Sequence, residues 1–525
     1  MRTRPNAFSG KAVVTSSSLY ASSAGAKVIE DGGNIFDAAI ATSAALCVAQ
    51  NNLCGLGGDM FALIRDSRGN IIDLNGSGKS FKALSIDFFK SKGMEEIPKR
   101  GEYSALTVPG IVRAWSDIYR KYCTLELRRL LEPAFRLASK GLYVTQNYSE
   151  SISISSKFLS QYAGWKSQFM PSGNVPAPGT LFKQPDLAET IKLLISDGLE
   201  SFYEGYLADR IIKGLNGTDV AMDEEDLKSH KSRISKPLST EFNGYRIYET
   251  SPNSQGVTAL LWLNILRSSG YTPESDPLSN PGQLIETGLI AYSERDRLIT
   301  DPEMTKLPEG FLGQSYSDRL LEKSENVAYR KMKGTHQSDT TYFSISDSEG
   351  NTASIIQSNY MGFGSGIIPE GTGFVLQNRG AYFTLDENHH NRLEPGKRTF
   401  HTLCAGIMER EKLLYASFGT MGGDIQPQIH LQLILRLIRE NEDPQGVLDL
   451  PRWAFPYTIY ERPAEVICES DTVAENVQRT FKRMRARNIG YSSQFGHAQM
   501  TTLLRNGTVA GGADPRGDGI AMPVI

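Results

Sequence analysis

Cysteine is scarce in these 525 residues: only Cys47, Cys54, Cys123, Cys404 and Cys468 occur, and no two form a C-x-x-C pair. An odd, scattered set excludes a disulfide framework and a zinc ribbon, and predicts buried thiols in a reducing compartment. Charge of one sign is also lacking, with 56 basic against 59 acidic residues interspersed. Without a basic face, nucleic acid and anionic membrane are excluded as partners. The longest uncharged stretch, between Asp37 and Asp59, contains Asn51, Asn52 and a cluster of glycines, and so reads as a buried helix and turn rather than a membrane span. No apolar core of signal-peptide length follows the first arginines, which makes the cytoplasm the expected compartment.

Several chemistries are absent by motif. G-x-S-x-G does not occur, so an α/β-hydrolase serine has no support. Asp73 stands where a phosphate loop ending in Gly78-Lys79-Ser80 needs its first glycine, and the glycines at 55–58 are wrongly spaced for a dinucleotide fingerprint. The seven histidines show neither H-x-H nor H-E-x-x-H spacing, so no metal and no cofactor are expected.

What is present is a succession of ordinary elements. Residues 34–50 predict a helix capped near Asn34 and packed on all sides. A glycine turn over 53–59 follows, then two strands, MFALIR and NIIDL, that form a hairpin. Apolar spacing predicts further helices at 126–140, 186–200, 257–268, 283–297 and 429–440. The hydrophilic stretch 314–339 is expected to be an exposed connection where a chain can be cut without loss of core.

After that stretch comes the strongest hairpin, TTYFSISDSEGNTASIIQS at 340–358. A turn centred on Glu349 sets Thr340 opposite Ser358, where Cβ atoms lie about 5 Å apart. Two hydroxyls facing across strands are common in sheets. The Asp339–Thr340 junction adds a chemical reading. A break before Thr340 frees an α-amine of pKa roughly 7.7–8 next to its own hydroxyl, a general base and nucleophile on one residue. Downstream, the strand LLYASF runs into GTMGGD, where the N–H groups of Gly422 and Gly423 either bind developing negative charge or simply open a helix near Ile425.

These residues resemble the γ-glutamyltranspeptidase family. TTYFSISDSEGN is similar to the family's strand opened by a threonine after self-cleavage, and YMGFGSGIIPEGTGFVLQN (360–378) to its continuation. The resemblance extends through GGNIFDAAIA (32–41), LCGLGGDMF (53–61), TVPGIVRAW (107–115), PNSQG (252–256), PGKRTFHTL (395–403), GTMGGDIQPQ (419–428) and GGADPRGDG (511–519). It implies an α/β fold, the four-layer αββα sandwich of N-terminal nucleophile hydrolases, made of a large chain, 1–339, and a small chain, 340–525, folded as one unit. It implies that Thr340 is the nucleophile, that Ser358 bonds its hydroxyl, and that Gly422 and Gly423 form the oxyanion hole.

The positions that match the family's glutamate-binding groups carry different residues. Lys79 is the only cation in the region matching the family's arginine stretch. Tyr360 stands for an asparagine, Tyr382 for an aspartate, and His401 with Thr402 for a serine pair. Arg379 and His401 are candidates for another way of gripping an acid. The expected activity is opening of a γ-glutamyl-type amide through an acyl-Thr340 ester, with hydrolysis or transfer to an amine. The alternatives are an acylase for a different acyl group, as in the related cephalosporin acylases, and an uncleaved binding protein. The expected partners are a small amide substrate and, for each chain, the other; a homo-oligomer stays open.

Overall fold

A computed structural model describes residues 3–273, 277, 281–323, 340–440, 443–455, 465–480 and 485–525. Two seven-stranded antiparallel sheets lie face to face. The first runs Ile520–Val524, Ala12–Ser16, Thr341–Asp347, Thr352–Ser358, Asp59–Arg65, Ile71–Asn75 and Arg233–Ser235. The second runs Ala7–Ser9, Val509–Ala513, Ala498–Leu503, Leu413–Thr420, Gly406–Arg410, Tyr245–Glu249 and Leu238–Phe242. Leu19–Glu30 and Ile35–Ala49 cover the outer face of the first sheet, Val257–Ser268 and Gln426–Glu440 that of the second. The result is the αββα sandwich. The predicted compartments 1–339 and 340–525 interleave in it: Thr341–Asp347 pairs with Ala12–Ser16 on one side, and Thr352–Ser358 with Asp59–Arg65 on the other.

Local sequence explains the main elements. Asn34 caps Ile35–Ala49 in a capping box with Asp37, and every residue of that helix is buried. Its alanines let it lie close to both the sheet and Leu127–Lys140, whose own stripe buries Leu130, Leu131, Ala134 and Ala138. The expected helices are found at Leu127–Lys140, Pro185–Asp197, Val257–Ser268, Pro281–Leu298 and Gln426–Glu440. The expected connection at 314–339 begins instead as a helix, Gln314–Lys323, with Ser317 its only buried residue; the remainder, including Asp339, lies outside the described residues. Tyr316, Leu320 and Leu321 give it a narrow apolar stripe against the core of the second sheet, which the hydrophilicity of the whole segment hides. All five cysteines are free thiols, four buried and Cys123 only half-buried. Among the described residues no helix is long and apolar enough to cross a membrane.

The sheets meet through an unusual mixture. Phe61, Tyr342, Ile356, Leu403 and Ala405 form a small apolar cluster. Beside it run buried hydroxyls: Tyr342 with Ser354 at 2.7 Å, Ser344 with Ser417 and with Thr501 at 2.8 Å each, and Ser346 with Thr501 at 2.7 Å. Each hydroxyl both donates and accepts, so short polar side chains can fill a dry interface without an unmade bond.

Candidate active site

Thr341 pairs with Gln357 and Ser346 with Thr352, and this register carried one step further sets Thr340 opposite Ser358 at the open end of the hairpin. The Thr340 Oγ1 hydroxyl donates to Ser358 Oγ at 3.0 Å, and both residues are buried. Ser358 Oγ also accepts from the Tyr360 main-chain N–H at 2.7 Å. Tyr360 holds φ 79°, a left-handed conformation uncommon outside glycine, and the residues around it are pinned: Asn378 accepts from Met361 N–H at 3.1 Å and donates to the Lys99 carbonyl at 2.6 Å. Next to Thr340, the Thr341 hydroxyl meets Ser17 Oγ.

Strand Leu413–Thr420 ends near this point, for Gly419 packs directly against the Tyr342 ring. The turn that follows contains Gly422 at φ 138° and Gly423 at φ 56°, angles that make glycine the fitting residue at both. A short 3₁₀ turn, Gly423–Ile425, leads directly into Gln426–Glu440. Gln255 fastens the turn to the opposite wall by donating to the carbonyls of Thr402 and Gly423, each at 2.7 Å. A cleft of about 660 Å³ reaches Met421 and Gly422, walled by Leu53, Arg100, Phe158 and His497 among others.

Five of the six residues expected to bind substrate come together here. Arg379 is 1% exposed, and its guanidinium lies 4.2 Å from the centre of the Tyr360 ring and 5.5 Å from that of Tyr382. Its Nη1 donates to Thr402 Oγ1 at 3.0 Å. The two tyrosine rings are 4.9 Å apart, and the Tyr382 hydroxyl donates to Asp424 Oδ2 at 2.6 Å. Burial pushes Tyr382 well above its usual range, so it stays a neutral donor. His401 accepts from Leu403 N–H through Nδ1 at 3.3 Å, leaving Nε2–H to donate to Asp59 Oδ2 at 3.1 Å. Burial first, then the positive charge of Arg379, hold His401 well below its usual pKa, so it is neutral. Lys79 stands apart. It pairs with Glu303 at 2.7 Å on the wall of a separate cavity of about 360 Å³, because the chain turns away after Gly78.

Residues that sequence reasoning left unassigned complete the setting. Asp59 accepts from Gly78 N–H at 3.1 Å and Gln377 Nε2 at 2.9 Å as well as from His401, yet burial raises its carboxyl to about 7. Arg295 Nη1 donates to Gln255 Oε1 at 2.7 Å and its Nε to Asp296 at 2.8 Å, and Nη1 lies 3.0 Å from Asp424 Oδ1. Asp59 and Asp424 both fall inside recognised motifs, a signal that was available; Arg295 sits on a helix without any.

Among the described residues metal-ligand types converge in one group, although spacing predicts no metal: Glu249, Cys404 and His430, all buried, between strand Tyr245–Glu249 and helix Gln426–Glu440. Glu249 Oε1 is 2.7 Å from His430 Nδ1, and Cys404 Sγ is 3.9 Å from His430 Nε2. Residues 249, 404 and 430 are too far apart in sequence for spacing to reveal the group.

Comparison with known proteins agrees with this geometry. The profile of the family described as gamma-glutamyltranspeptidase matches residues 21–524. The chain is 36% identical to the glutathione hydrolase-like YwrD proenzyme of Bacillus subtilis, over 98% of both chains. It is 31% identical to the oxamate amidohydrolase proenzyme of Klebsiella pneumoniae, over 95% of this chain and 96% of the relative. The crystal structure of cephalosporin acylase from Bacillus halodurans superposes with a TM-score of 0.90 at 33% identity, covering all of this chain and 97% of that one.

Proposed function

The chain belongs to the γ-glutamyltranspeptidase family, and from that premise we propose that it is a self-processing amidohydrolase whose nucleophile is Thr340. The carrying observation is the buried 3.0 Å bond from Thr340 Oγ1 to Ser358 Oγ at the mouth of the hairpin. Cleavage between Asp339 and Thr340 divides the protein into chains 1–339 and 340–525 and frees the Thr340 α-amine. That amine, with a pKa of roughly 7.7–8, takes the Oγ1 proton as the oxygen attacks a substrate amide carbonyl. Ser358, itself held by Tyr360 N–H, fixes the direction of the attacking oxygen. The N–H groups of Gly422 and Gly423 receive the oxyanion, whose stabilisation is commonly the largest catalytic contribution. Collapse expels the leaving amine, which takes the proton from the Thr340 ammonium and leaves an acyl-Thr340 ester. Water, or a second amine, then attacks the ester with the same base and returns Thr340.

The acyl group is of γ-glutamyl type in this reading, which the glutathione hydrolase-like relative supports. An acylase for another acyl group is the second reading, favoured by the tyrosines at 360 and 382 and by Arg379. Intact mass and denaturing electrophoresis of fresh protein test the premise common to both. Two fragments are expected, the smaller beginning at Thr340, and Thr340→Ala is expected to remain one chain. A single chain under all mild conditions would leave an uncleaved binding protein instead.

A further inference from the structure

The cavity of about 360 Å³ that Lys79 lines lies apart from the Thr340 site. Much of its wall is the run 230–233, where the chain leaves helix Glu224–Lys228 and enters strand Arg233–Ser235. Lys79, Lys82, Lys231, Arg233 and Arg398 face it, against two acids, Asp226 and Glu303. Both acids are engaged. Asp226 accepts from the main-chain N–H groups of Lys82 and Asp223 at 2.9 and 3.2 Å, and Glu303 is shared by Lys79 at 2.7 Å and Arg398 at 3.1 Å. Lys231 and Arg233 form no ion pair among the described residues; the Arg233 guanidinium reaches only the Pro252 carbonyl, at 3.5 Å.

Two polar atoms on this wall have no hydrogen-bond partner. His230 is 5% exposed, and a bond from Nδ1–H to the Gly76 main chain orients its ring, which leaves Nε2 with a lone pair and nothing to accept from. Burial first, then the charges of Arg398, Arg113 and Lys79, hold its pKa down at about 3, so the ring is a neutral acceptor. Ser232 Oγ is likewise buried and unpartnered, and a hydroxyl can donate. An occupant that satisfies this wall has negative charge for the cations and a proton for His230. At neutral pH a carboxylate or a sulfate meets only the first condition. A phosphate, with an O–H beside its charged oxygens, meets both. The Gly78-Lys79-Ser80 turn does not act as a phosphate loop here: Ser80 spends its N–H on the Lys397 carbonyl at 2.8 Å and its hydroxyl on the Glu394 carbonyl at 2.5 Å. Recognition therefore falls to the side chains of 230–233.

We propose that this cavity is a second ligand site, selective for a phosphate group that keeps a proton: Lys231 and Arg233 balance its charge, Ser232 donates to it, and His230 Nε2 accepts its O–H. The inference is independent of the Thr340 reading. The volume is at the small end of ordinary ligand sites, about 300–1,000 Å³, which suits inorganic phosphate or the phosphate ester of a small alcohol.

Isothermal titration of the purified protein at pH 7 and constant ionic strength tests it with three probes: inorganic phosphate, glycerol 3-phosphate and sulfate. Saturable binding of phosphate is expected, with sulfate at least tenfold weaker, because a site that accepts a hydrogen bond rejects an analogue without the donor. Tighter binding of glycerol 3-phosphate assigns the site to an ester, tighter binding of inorganic phosphate to the free ion. The double variant Lys231→Gln, Arg233→Gln, both on the rim, is expected to weaken phosphate at least tenfold. His230→Phe is expected to abolish the preference over sulfate, a change that a merely structural role of the ring would not produce. A melting transition measured on each variant reports folding, and the rim variant decides the matter should His230→Phe not fold. No saturable binding of either phosphate, sulfate bound as tightly as phosphate, or an unchanged affinity in the rim variant overturns the inference.

Discussion

Two buried arginines stand in opposite corners of one site and are treated in opposite ways. Arg295 is matched: Asp296 and Asp424 lie within 3.0 Å, Gln255 accepts at 2.7 Å, and the rings of Tyr292 and Phe400 lie 4.5 and 5.1 Å away. The neighbouring acids outweigh burial and hold its pKa above the usual arginine value. Arg379 has two tyrosine faces and a threonine hydroxyl, and burial lowers its pKa. A buried charge with its counter-charges in place is part of the scaffold. One with an unused donor edge, as at Arg379 Nε and Nη2, carries its desolvation cost without that offset.

The largest effect that separates the two corners is on stability. Breaking a matched buried pair strands its acids, so Arg295→Gln is expected to destabilise by about 3–5 kcal/mol, while Arg379→Gln changes stability far less or in the favourable direction. Urea unfolding in a Thr340→Ala background keeps one covalent chain and makes the two comparable. Equal losses would erase the distinction.

Next in size is a pH effect centred on Asp59, whose ionisation sets the net charge around Arg379. Its carboxyl holds a proton up to about 7 in the folded chain, against about 3.9 when unfolded. Between these values the folded state binds more protons, so this group's contribution to stability is full below about pH 4 and is lost as pH rises through about 7. Asp59→Asn is expected to flatten the fall in melting temperature over that window. A slope as steep as that of the parent would show that Asp59 ionises normally.

The smallest expected change comes from Tyr382→Phe, which removes the 2.6 Å bond to Asp424 and keeps the ring beside Arg379. A loss of about 1–3 kcal/mol is expected, since a buried acceptor is left short of a donor. Urea unfolding checks it, and an unchanged stability would show that the hydroxyl bond contributes nothing; the ring lies beside Arg379, whereas the hydroxyl serves the acid that pairs with Arg295.

Much of this protein was legible from local pattern. Asn34 and Asp37 announce their capping box, the 340–358 hairpin fixes its register through its turn, and alternation places Thr340 across from Ser358. The glycines at 422 and 423 mark a turn whose angles no other residue adopts easily. These features depend on backbone geometry over a few residues, and sequence specifies that directly. The exposed connection expected over 314–339 opens as a largely exposed helix, Gln314–Lys323, because a stripe as narrow as Tyr316, Leu320 and Leu321 is lost in a hydrophilic segment.

The sequence by itself determined the family, two hairpins of the first sheet and the facing of Thr340 and Ser358 across one of them. Only the tertiary structure decided which charges are matched. Lys79 and Arg379 are equally cationic on the page, yet Lys79 finds Glu303 at a half-exposed rim, while Arg379 is enclosed between Tyr360 and Tyr382 with its fork unpaired. Nor could residue spacing reveal that Arg295, Asp424 and Gln255, drawn from three distant segments, form one network. The reason is physical: periodicity and turn chemistry act along the chain, whereas desolvation and the pairing of charges depend on which groups folding encloses together.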